Sequence, residues 1–143
     1  MTLAERLRVL RREMAELLSR LDIQSCHGCA RHHPPPEGHW PGGHCCGGKT
    51  LNIFSAEEVA ALKLGGTRTR EWRPPRDDHA GCVFRGPEGC SLEPEDRPSI
   101  CLRYLCLELR EELKAGSEWA QVSRLAAELR DTDMALRAMM RDG

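Results

Sequence analysis

The residues from His32 to Lys49, HHPPPEGHWPGGHCCGGK, constrain the fold more than any other stretch of the chain. Three consecutive prolines exclude a regular helix, because each removes an amide donor and crowds the preceding turn. The glycines that follow favour turns, and apart from the cysteines and prolines only Trp40 offers an apolar side chain for burial. A segment of this kind orders only when something cross-links it. The cross-linking groups stand within and around it: Cys26, Cys29, Cys45, Cys46, Cys82, Cys90, Cys101 and Cys106.

Composition supports the same reading. Leu, Ile, Val and Phe together supply 27 of 143 residues, a share low enough for disorder to become possible. Disorder of that kind normally accompanies high net charge. Here 21 basic and 22 acidic side chains leave a formal charge of only -1. The expectation is a small apolar core completed by cysteine chemistry. No apolar run approaches the ~18 residues that a membrane span needs, so membrane insertion is not expected. The near-neutral charge also argues against a nucleic-acid partner. The start, MTLAERLRVLRREMAEL, interleaves charges with leucines and lacks the apolar segment of a secretory signal. A cytoplasmic location is therefore expected, where thiols stay reduced and clustered cysteines more often hold metal. The even cysteine count keeps a disulfide framework as the alternative.

Three segments are predicted. Residues 1–24 form an amphipathic helix: Leu3, Leu7, Leu10, Met14, Leu17 and Leu21 fall on one stripe, and Thr2 with Glu5 makes a capping box. Residues 25–115 form the cysteine-cluster domain. Within it Ser55 and Glu58 predict a second capping box, opening a short helix that stops at Gly65-Gly66. A brief strand pair is expected around Cys82 to Phe84 and Cys90 to Leu92, joined by RGPEG. Leu105, Leu109 and Leu113 mark a helix to about Lys114. Residues 116–143 form a last helix, with Ser117 as its expected cap and Val122, Leu125, Leu129 and Leu136 among its apolar positions. The predicted class is mainly α, with an irregular cysteine-rich metal-binding core and few or no strands. The regular stripes of the terminal helices suit packing within the chain, self-association or contact with a protein partner.

Cys26-His27-Gly28-Cys29 places two thiolates within reach of one ion or cluster. Four thiolates suit tetrahedral zinc or an iron–sulfur cluster. Cys101 and Cys106 are five apart, roughly 140° around an ideal helix. Both can face one centre only if Cys101 lies before the regular helix or its first turn is distorted, which Arg97-Pro98 makes plausible.

The ordered set CHGC, HCCGG, SAEE, GCVFRGPEGC and RPSICLRYLC resembles the YkgJ-type cysteine-cluster family, also described as the CxxCxxCC zinc- or iron-chelating domain. The resemblance runs from Cys26 to Cys106, 81 of 143 residues, and leaves the terminal helices outside. It implies metal binding through all eight cysteines, and places Arg97, Pro98 and Tyr104 on the family's RP and tyrosine positions. A related cysteine-rich segment in flagellin lysine methylases carries an iron–sulfur cluster, which implies [4Fe–4S] as the cofactor, with Zn2+ as the alternative. Two departures stand out. Fifteen residues, Ala30 to His44, separate the first pair from Cys45, a longer gap than the family's. The arginine that commonly follows the RP-linked cysteine is Leu102 here, with Arg103 next.

Among the histidines, His44 beside Cys45 is the best candidate for an additional ligand; His27, His32, His33 and His39 read as loop residues, and His79 as an outer donor or a solvated side chain. Arg68, Arg70, Arg73 and Arg76 with Trp72 form a positive patch diluted by Glu71, Asp77 and Asp78. No H-E-x-x-H, deaminase or phosphate-loop motif is present. The expected function is therefore metal binding, with a redox, sensing or adaptor role and no independent catalytic activity. A structural zinc module that mediates protein–protein contact is the alternative.

Overall fold

Thr2 begins the first helix as the cap chemistry requires. Its Oγ1 accepts the Glu5 amide at 3.1 Å, and the Glu5 carboxylate accepts the Thr2 amide at 2.8 Å. The resulting helix α1 spans Leu3–Arg20 in the computed structural model, which describes residues 1–21, 23, 54–72, 84–86 and 89–143. The other described elements are α2 (Ala56–Leu64), α3 (Ile100–Arg103), α4 (Leu107–Lys114) and α5 (Trp119–Asp142). Strands β1 (Arg85–Gly86) and β2 (Gly89–Cys90) form a minimal antiparallel pair, and 3-10 turns cover Thr69–Glu71 and Pro94–Asp96. The described chain is mainly helical.

The longest helices make the principal contact, α1 against α5. Leu7, Leu10, Met14, Leu17 and Leu18 of α1 are buried with Val122, Leu125, Leu129 and Leu136 of α5. Ala61, Leu102, Leu105, Leu109 and Leu113 join the same core. Residues from all three predicted segments thus share one cluster. Burial of a leucine of this kind is worth about 1.5–3 kcal/mol before entropy is counted.

Helix α2 stops where the paired glycines predict. The amides of Gly66 and Thr67 donate to the carbonyls of Lys63 and Leu62 at 3.0 and 3.1 Å, a Schellman ending. Gly66 has φ of 106°, a region that L side chains rarely adopt. At Gly65 a Cβ would lie 3.2 Å from the Ala4 carbonyl oxygen, so glycine lets this end approach the first turn of α1. Arg8 then ties the junction: its Nη1 donates to Thr67 Oγ1 at 3.1 Å and to Asp96 Oδ1 at 2.8 Å.

Several local expectations shift. The second capping box forms only by half: Ser55 Oγ accepts the Glu58 amide at 3.2 Å, but the Glu58 carboxylate turns inward to arginines. The hairpin pairs Arg85 with Cys90 and Gly86 with Gly89, nearer the turn than expected, and extends by the Ser91 amide donating to the Phe84 carbonyl at 2.7 Å. Helix α4 starts at Leu107, so Leu105 packs into the core from the preceding link. Glu118 rather than Ser117 is the N-cap residue of α5, and it makes no side-chain cap bond.

Candidate metal centre

Of the eight predicted ligands, Cys90, Cys101 and Cys106 lie among the described residues, each partly exposed and none in a disulfide. Cys26, Cys29, Cys45, Cys46 and Cys82 lie outside them, as do His27, His32, His33, His39, His44 and His79. Cys90 ends β2. Cys101 belongs to α3, whereas Cys106 is the N-cap of α4, with extended backbone between the two helices. The chain thus breaks its helix between these cysteines, so Cys101 lies ahead of the helix that Cys106 caps. Cys106 Sγ accepts the Leu109 amide at 3.5 Å. Hydrogen bonds to ligand sulfur are among the groups that set the potential of a cluster.

The donor chemistry of these three side chains suits zinc or an iron–sulfur centre, because cysteine thiolates supply soft sulfur ligands. Among the described residues no group of three or more Cys, His, Asp or Glu side chains is placed to hold a metal ion.

The motif residues around the cysteines have identifiable jobs. Arg97 is buried, and its Nε donates to the Leu92 carbonyl at 3.0 Å, fastening the segment after β2 ahead of Pro98. Pro98 precedes the N-cap of α3, and its carbonyl accepts the Cys101 amide at 2.9 Å. Tyr104 is exposed at the C-cap of α3. Trp72 packs edge-on against Phe54 and Phe84, with centroids 5.9 and 4.8 Å away. Phe54 and Phe84 also meet, at 5.1 Å. These three rings join the described edges of the cysteine-rich region. In the positive patch, Arg68 sits 3.4 Å from Glu71, both well exposed. Arg73, Arg76, Asp77 and Asp78 lie outside the described residues.

The paired glutamates of SAEE do something that spacing alone does not disclose. Glu57 receives Arg137 Nη1 at 2.6 Å and Arg141 Nη2 at 3.1 Å. These bonds hold its carboxyl below the usual range, Arg137 contributing most. Glu58 pairs with Arg137 and lies 3.8 Å from Arg11 Nη2. Arg137 also donates to Asp133 at 3.0 Å. Arg11, Glu58 and Asp133 are only 1%, 3% and 7% exposed. Burial lowers the Arg11 pKa to about 10, an effect that Asp133 opposes. Burial likewise raises that of Asp133 against the pull of Arg11 and Arg103. The sequence carried a signal for Arg11: Ala4, Leu7, Arg11, Met14 and Leu18 form a second stripe on α1, with one charge among apolar side chains.

Against known proteins, the chain matches no family model, no curated protein and no solved structure. No described helix is long and apolar enough to cross a membrane.

Proposed function

We propose that the chain is a metal-binding protein that coordinates a [4Fe–4S] cluster through its clustered cysteines in the reducing cytoplasm. The observation that carries this reading is the concentration of all eight cysteines between Cys26 and Cys106, in a segment otherwise poor in aliphatic side chains. The resemblance to the YkgJ-type family points the same way. Beside this stand three cysteines that form no disulfide, Cys90, Cys101 and Cys106, and a helix break that separates the last two. Cys26, Cys29, Cys45, Cys46, Cys82, Cys90, Cys101 and Cys106 are the proposed ligands. A bound cluster would supply one-electron chemistry or sensitivity to oxidant and iron; the chain's own residues would govern burial and access.

An adaptor role fits beside this one. The apolar stripes of α1 and α5 pack on each other, so a partner or second copy would use outward residues such as Leu107, Met134 and Met139. Structural zinc is the second reading, favoured by the small aliphatic supply, because zinc coordination contributes directly to folding.

Anaerobic purification followed by iron, zinc and acid-labile sulfide analysis and a visible spectrum separates these readings. Iron with sulfide and broad visible absorption is the expected result. A colourless protein with stoichiometric zinc selects the structural module instead, and four stable disulfides after cytosolic expression would sink both. Substitution of Cys82 or Cys106 should release metal; full retention removes that residue from the ligand set.

A further inference from the structure

Away from the paired glutamates, Arg103 at the end of α3, Leu105 of the following link, and residues of α4 and α5 line a groove of about 380 Å³, within the size range of small-molecule sites. Its lining includes Arg103, Arg110, Lys114 and Arg130 but no acidic side chain. The helical repeat explains the convergence. Arg110 and Lys114 are four apart on α4, while Trp119, Ser123, Ala126 and Arg130 follow one stripe of α5.

These cations are unequally balanced. Lys114 lies 3.5 Å from Glu111 and Arg130 lies 3.1 Å from Asp131; both carboxylates are more than half exposed. The Arg110 guanidinium makes no hydrogen bond or ion pair among the described residues. Arg103 has a buried Nε without a hydrogen-bond partner, and Asp133, the acid that feels its charge, is already bonded to Arg137. In a chain whose formal charge is -1, this is a local excess of positive charge around a concavity. Planar guanidinium groups match phosphate oxygens in two-pronged fashion. A phosphate monoester dianion balances two uncompensated cations, where a single carboxylate balances one. The remaining lining, Leu105, Trp119, Ala126 and Ala127, is apolar or small, and the Ser123 hydroxyl adds a neutral donor.

We propose that this groove binds a small organic phosphate, its phosphate between Arg103, Arg110 and the flanking Lys114 and Arg130, its apolar part against Trp119 and Ala126. The site stands independently of the metal reading, since none of its contacts requires a bound centre.

The test uses the full chain as purified, titrated with phenyl phosphate at constant ionic strength. Heat and the Trp119 indole N–H resonance, assigned with Trp119→Phe, provide two readouts. Saturable one-to-one binding that shifts this resonance is expected. Arg110 is exposed and outside the core, so Arg110→Glu should keep the helical signal while weakening binding by about tenfold or more. The milder Arg110→Gln should weaken it in the same direction and decides the matter if the charge reversal misfolds. Absence of saturation in the parent protein, or undiminished binding by the folded Arg110 variant, overturns the site. Phenol binding as tightly as phenyl phosphate overturns the role of the cations. Inorganic phosphate binding equally well overturns the apolar subsite.

Discussion

Helix α5 has two working faces of opposite chemistry. Toward α1 it presents Val122, Leu125, Leu129 and Leu136, a dry seam of aliphatic side chains. Toward α2 it presents Arg137 and Arg141, which meet Glu57 and Glu58 in ion pairs, while Asp133 braces Arg137 from the same helix. The apolar seam tolerates small displacements, because dispersion and dehydration are non-directional. The ionic seam does not, because buried charges repay their desolvation only when the partners stay in place. Arg11 Nη2, Glu58 Oε1 and Asp133 Oδ1 have no hydrogen-bond partner, so the ionic seam is imperfectly compensated. The lesson concerns α2, which lies in sequence between the early cysteines and Cys82. Its attachment to the frame is specific in geometry and costly to disturb.

Metal removal should separate the two seams most strongly. If the cysteine segment holds a centre, chelation under reducing conditions should leave α1 and α5 protected from hydrogen exchange while α2 loses protection. Structural metal binding can be worth about 10–16 kcal/mol, so the effect should be large. Equal loss in all three helices would show that the two seams form one cooperative unit. Leu10→Ala comes next. The residue is fully buried in the apolar seam, and truncation should cost about 4 kcal/mol in denaturant unfolding. Glu58→Ala should cost about 3 kcal/mol, because it leaves the Arg11 cation buried with less opposing charge.

A smaller effect should follow pH. The folded pKa of Asp133 is raised above 3.8, so the native state keeps this proton in a window opening upward from that value. In that window the native state binds more protons than the unfolded chain, and the stability from this site falls as pH rises. Relative to Asp133→Asn, the parent protein should therefore lose stability on leaving the acid range. A relative gain would mean that Arg137 outweighs burial. The smallest effect belongs to Arg12→Ala: its pair with Glu95, at 2.9 Å, has an arginine 57% exposed, and solvent screening leaves such a pair little weight, so the denaturant midpoint should barely move.

Much of the local structure was legible in the residues. The Thr2–Glu5 cap, the α1 stripe and the Gly65-Gly66 stop depend on neighbours within a turn or two, and each occurs as read. Ser55 shows where such reading ends. Its cap bond to the Glu58 amide is local and forms, but the carboxylate of Glu58 faces arginines from α1 and α5, and those distant charges win. Ser117 was displaced for a related reason of register: α5 begins with Trp119, packed against the core, and Glu118 takes the cap position.

By itself the sequence determined a mainly helical chain, its principal apolar stripes and the concentration of all eight thiols in one aliphatic-poor segment. These follow from periodicity and composition, which are properties of neighbouring residues. Tertiary structure alone decided that the paired glutamates dock on Arg137, that Arg11 is buried, and that four cations converge beside Trp119. Those outcomes depend on residues tens of positions apart, and only chain packing sets the distances on which Coulomb energy and desolvation act.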